Sequence, residues 1–165
     1  MAGDKVCNAL FLCTHNSARS IMAEGLLDYV GKGRYKGCSA GSMPATAPHP
    51  FALRTLANLQ LPTAGFYSKN RDEFARPGAP EMHFVFTACD NAANEVCPVW
   101  PGQPVTAHWG VPDPSRFEGA DEERLREFAR VAKLLKHRIE LFGSLPVAKL
   151  DRLTLHGRVR EIGRQ

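Results

Sequence analysis

Four short apolar runs alternate along this chain with segments of helical spacing, and that alternation is the strongest constraint on its fold. Residues 6–12 (VCNALFL) form a run of strand length. Residues 37–41 are a shorter candidate, 83–88 (HFVFTA) read as a buried strand, and 105–109 as a fourth. Between them, residues 21–30 place Met22, Leu26 and Tyr29–Val30 on one helical face and stop at Gly31. Residues 48–61 carry Leu53, Leu56, Ala57 and Gln60 on turn spacing, with Pro50 near the start. Residues 120–142 show the clearest helical period, with Leu125, Phe128, Ala132, Leu135, Ile139 and Phe142 on one face and Gly143 as the stop. Residues 64–80 are loop-rich, and 90–102 read as a long polar loop. The expected fold class is α/β, a four-stranded parallel sheet flanked by helices on both faces. Its functional loops would gather at the carboxyl ends of the strands.

A length of 165 residues suits one domain, and 44% hydrophobic content supports a core without disulfides or a structural metal. Lys and Arg number 21 against 17 Asp and Glu, a net charge of +4. That balance is compatible with an anionic ligand and too weak for a nucleic-acid binder. No apolar stretch is long enough to span a bilayer, so no membrane partner is expected. Residues 1–5 (MAGDK) lack the basic and apolar regions of a signal peptide. A cytoplasmic monomer is expected. Residues 1–146 hold every motif, whereas 147–165 place Lys149, Arg152, Arg158, Arg160 and Arg164 against Asp151 and Glu161 and read as a solvated basic extension.

The cysteines are Cys7, Cys13, Cys38, Cys89 and Cys97, an odd number in a chain with no sign of export. Catalysis, redox exchange or metal binding suits some of them better than standing disulfides. Cys7 and Cys38 lie in short apolar runs and are expected to pack as small hydrophobes. Cys13 opens the segment Cys13-Thr14-His15-Asn16-Ser17-Ala18-Arg19-Ser20, a C-x5-R-S sequence between a strand and a helix. Five intervening residues suffice to wrap N–H groups around a tetrahedral oxyanion, with the helix start adding its positive end. Arg19 can clamp two oxygens through its planar fork, and Ser20 with the N–H groups would favour a thiolate at Cys13. Asn16 suits a left-handed loop position, and His15 is expected to face solvent. The alternative is an ordinary turn in which Asn16 or Ser17 caps the helix.

The segment CTHNSARS, followed by Met22, Ala23 and Glu24, resembles the active-site loop of low-molecular-weight protein tyrosine phosphatases and of the arsenate reductases that share their fold. The likeness extends through Ser39-Ala40-Gly41, Cys89-Asp90-Asn91 and Trp109-Gly110-Val111-Pro112-Asp113-Pro114, spanning residues 5–143. It implies Cys13 as nucleophile, Arg19 as oxyanion clamp, Asn16 and Ser20 as loop supports, and Asp113 as general acid. It also places Asn16, Glu24 and Ser39 at positions that hold a potassium ion in some related reductases. No carboxylate partner completes that set here, and no metal is expected.

Two branches of the family differ in what they require beyond Cys13 and an acid. A reductase needs further thiols, because two electrons must come from sulfur. Cys89 after the third strand and Cys97 beyond it resemble the resolving cysteines of thiol-coupled arsenate reductases. Ser115-Arg116 stand where phosphatases of this group carry aromatic residues, which suits a small inorganic oxyanion. The expectation is therefore an arsenate reductase with no bound cofactor and an external reductant, thioredoxin or glutathione with glutaredoxin. Hydrolysis of phosphate monoesters and non-catalytic binding of an oxyanion or arsenite are the alternatives. A zinc set of Cys89, Cys97 and His83 or His108 would need a ligand loop longer than structural sites use.

Overall fold

The computed structural model describes residues 6–95 and 100–165. The elements run β1 (Cys7–Leu12), α1 (Arg19–Val30), β2 (Tyr35–Ala40), α2 (Pro50–Asn58), β3 (Phe84–Thr87), α3 (Asp90–Asn94), β4 (Val105–His108), α4 (Asp121–Gly143) and α5 (Arg152–Ile162). All strand pairings are parallel, in the order β2-β1-β3-β4. Leu12 lies opposite both Ala40 and Thr87, and Thr87 opposite His108, so the strands end level with one another. The loops that follow β1, β3 and β4 therefore emerge side by side.

The faces of the sheet are covered unequally. Ala9, Phe11, Phe84, Phe86 and Val105 join the main core with α1, α2, α4 and α5. Within it Phe86 stacks on Trp109 with centroids 3.9 Å apart, and Phe142 meets both edge-on. Leu10, Leu12 and Val85 face a thinner layer with Met82, Ala92 of α3 and Trp100, and Cys13 and Cys89 belong to this second cluster. Central strands buried on both faces read as continuous apolar runs, which is why β1 and β3 were visible in the sequence.

Three expectations change. The polar loop after β3 begins with a short helix, α3, whose five residues are too few to show a period. Gly143 does not stop α4 but ends it from within, and Arg34 Nη2 donates to its carbonyl at 2.8 Å. The tail is not a solvated extension. Asp151 caps α5 by accepting from the Thr154 N–H at 2.8 Å, and Leu155, Val159 and Ile162 are buried in the main core. Among the described residues, no helix is long and apolar enough to cross a membrane.

Candidate active site

The loop after β1 is turned so that its carbonyls face outward. Thr14 O accepts from the Met43 N–H at 2.9 Å, His15 O from Ala45 N–H at 2.9 Å, Asn16 O from the Ser68 hydroxyl at 2.7 Å and Ser17 O from His49 N–H at 2.8 Å. Among the described residues, no N–H of residues 14–20 has an intramolecular acceptor, which leaves that face for an anion. The N-cap of α1 is Ala18, with no side-chain cap and no acid in the first turn, so the helix presents an uncompensated positive end. That geometry excludes the capped-turn alternative. Gly41 is required beneath the loop, because a Cβ there would collide with Thr14 O and lie 2.6 Å from Cys13 O.

Asn16 holds the loop's shape at φ 47°, fully buried. Its Nδ2 donates to Ser20 Oγ at 2.8 Å, and its Oδ1 accepts from the Lys69 N–H at 2.9 Å. Ser20 Oγ lies 2.8 Å from Cys13 Sγ. Because that hydroxyl already accepts from Asn16, its own hydrogen is free for the sulfur, which suits a thiolate. His15 is exposed beside the Met43 carbonyl, as expected. Lys69 was missed in the sequence, since nothing local marks it. Its Nζ lies 3.8 Å from Glu24 Oε1 and donates to Ser39 Oγ at 3.5 Å and Tyr67 O at 2.9 Å. Burial pushes the Glu24 carboxyl up and the Lys69 ammonium down, each opposed by the charge of the other. These residues do not fit a bound potassium ion: the cation within reach of Glu24 and Ser39 is the protein's own lysine.

Cys89 ends the β3 run on the same side of the sheet. Its buried sulfur accepts from the Ala92 N–H at 3.4 Å as the N-cap of α3, and Thr14 Oγ1 lies 3.7 Å away. The anion loop and the second cysteine are thus in direct contact. His108 spans Thr87 Oγ1 at 2.7 Å and Asp90 Oδ1 at 2.8 Å, tying the start of α3 to β4. His83 sits at the opposite end of β3, its Nδ1 accepting from the Asn8 N–H, so it does not share a ligand set with Cys89. No cluster of three metal-ligating side chains occurs among the described residues. Cys97 lies outside them.

Asp113 follows β4 between two prolines. Its Oδ1 accepts from the Ser115 N–H at 3.0 Å and hydroxyl at 2.6 Å, and its Oδ2 lies 3.5 Å from Arg19 and 3.7 Å from Arg116. Arg19 also donates to Val111 O at 3.3 Å. A cleft of about 620 Å³ runs past Arg19, Cys89, His108, Val111, Asp113 and Arg116, and among the described residues its lining holds no Phe, Tyr or Trp. The arrangement gathers the unpaired N–H groups of the loop, the Cys13 sulfur, the Arg19 guanidinium, the Asp113 carboxyl and the Cys89 sulfur at one edge of the sheet.

Residues 8–152 match the family model for low molecular weight phosphotyrosine protein phosphatase, so the match stops at the first residue of α5. An arsenate reductase from Halalkalibacterium halodurans is 35% identical over 133 residues, 80% of this chain and 91% of that protein. The solved arsenate reductase of Archaeoglobus fulgidus is 28% identical with a TM-score of 0.63, covering 83% of this chain and 99% of its own. A thioredoxin-dependent arsenate reductase from Corynebacterium glutamicum is 25% identical with a TM-score of 0.55, covering 83% of this chain and 63% of its own.

Proposed function

The chain belongs to the low molecular weight phosphotyrosine protein phosphatase family, and from that premise we propose that it is an arsenate reductase working through a cysteine relay. The observation that carries this reading is the buried Cys89 sulfur in contact with Thr14 of the anion loop, a thiol that a hydrolase does not need. The polar cleft agrees with it, since among the described residues no Phe, Tyr or Trp lines it to pack against a phenolic ester.

In the proposed sequence, Cys13 attacks arsenic and forms a sulfur–arsenic bond while a hydroxyl leaves as water with the Asp113 proton. Arg19 and the loop N–H groups hold the remaining oxygens. Cys89 thiolate then attacks Cys13 sulfur. A disulfide forms, the sulfur–arsenic bond breaks, and its electron pair stays on arsenic, so two thiols are oxidised as arsenate becomes arsenite. Cys97 next attacks Cys89 sulfur, which frees Cys13 and leaves a Cys89–Cys97 disulfide for an external dithiol. The donor is thioredoxin, as the Corynebacterium relative's name has it for that protein, or glutathione with glutaredoxin if Cys97 is dispensable. The test is arsenate-dependent NADPH oxidation with thioredoxin, glutaredoxin and mycothiol systems supplied separately. Turnover with one of them is expected, and none with any of them contradicts the assignment.

A further inference from the structure

Arg138 is a charge in the wrong place for a solvated helix face. It lies on α4 with 8% of its surface exposed, and burial pulls its guanidinium below the ordinary value. Burying a charge without a carboxylate side chain beside it is costly, and among the described residues no Asp or Glu pairs with Arg138. Its partners are two main-chain oxygens: Nη1 donates to Gly110 O at 2.9 Å and Nη2 to Gln165 O at 3.2 Å.

Gly110 begins the segment that carries Asp113. That segment is pinned to β3 by the Trp109 N–H on Thr87 O at 2.7 Å and the Val111 N–H on Ala88 O at 3.2 Å, and Arg19 holds Val111 O. Gly110 O has Arg138 as its donor. The other prong of the fork reaches the end of α5, and α5 also touches the segment directly. Trp109 Nε1 donates to Val159 O at 2.8 Å, and a Cβ at Gly163 would collide with His108 O. We propose that Arg138 is a positioning residue for the Asp113 segment, with α5 completing the active site by anchoring the far prong. The role rests on the proposed general-acid function of Asp113. A planar two-pronged donor fixes distance and angle together, so it sets where the turn before Asp113 sits.

The test is arsenate turnover by the full chain carrying Arg138→Met, compared with Val131→Ala, which loosens α4 away from this segment. Arg138→Met should lower kcat by roughly ten- to a hundredfold with arsenate KM changed less than about threefold, since the anion loop is untouched. The loss should disappear in an Asp113→Asn background, because a misplaced acid and an absent one are equivalent. Trp109→Phe, which removes the bond to Val159 O, should show a smaller loss with the same non-additivity, and it carries the test if Arg138→Met does not fold. An Arg138→Met enzyme no slower than Val131→Ala, or a loss that multiplies with Asp113→Asn, overturns the proposal. If Asp113→Asn alone turns over like wild type, the general-acid reading falls and this proposal with it, an outcome visible in that single variant.

Discussion

Asn16 and Arg19 divide the work of the anion loop between shape and charge. Asn16→Ala orphans the buried Lys69 N–H, worth about 1–3 kcal/mol, and should widen the loop enough to raise the arsenate KM. Arg19→Lys should not rescue activity, because an ammonium lacks the two-point fork; near-native rates would contradict the clamp. Asp113→Asn should slow the first chemical step by roughly 10²–10⁴-fold, read in pre-steady-state kinetics. His49, which supports Ser17 O and accepts from the Phe51 N–H, gives a stability test. Burial and the Arg124 charge hold its imidazole below the ordinary 6.5, against the pull of Asp113. The stabilisation is therefore full above that value and lost as pH falls below it. The urea midpoint should drop between about pH 7 and pH 5.5, and less in His49→Asn, which keeps an acceptor without titrating. Equal drops would contradict this. At this scale the Cys13–Ser20 loop was legible because its strand, spacing and helix are contiguous. Lys69 and Arg138 were not, since each serves the site across the fold and reads in sequence as an ordinary surface cation.

Among the elements, β1, β3 and α4 announced themselves by apolar runs or period, whereas α3 was too short and α5 was masked by its charges. Asp151 as N-cap and the four- and three-residue spacing of Leu155, Val159 and Ile162 are the signal that a count of arginines obscures. Leu155→Ala should cost about 2–5 kcal/mol of unfolding free energy. Leu153→Ala, one turn face away and 82% exposed, should stay within about 0.5 kcal/mol. Equal effects in denaturant titrations would return α5 to the role of a solvated tail. For α3, the His108 bridge to Asp90 and the Arg71 Nη1 bond to Glu95 Oε2 at 3.1 Å hold both ends of the segment that presents Cys89.

For the whole molecule, the level ends of four parallel strands are what bring Cys13, Arg19, Asp113 and Cys89 to one edge. Sequence order alone implied that edge, but the contact between Thr14 and Cys89 is a property of the folded sheet. The claim that this edge performs reduction rather than hydrolysis is tested most directly by a single turnover without external reductant. Fully reduced protein is mixed with excess arsenate, arsenite is quantified, and disulfides are mapped under non-reducing conditions. The relay predicts about one arsenite per chain with a Cys89–Cys97 bond in wild type, a trapped Cys13–Cys89 bond in Cys97→Ser, and no arsenite from Cys89→Ser. Arsenite release from Cys89→Ser at the wild-type rate, or none from wild type, would contradict it.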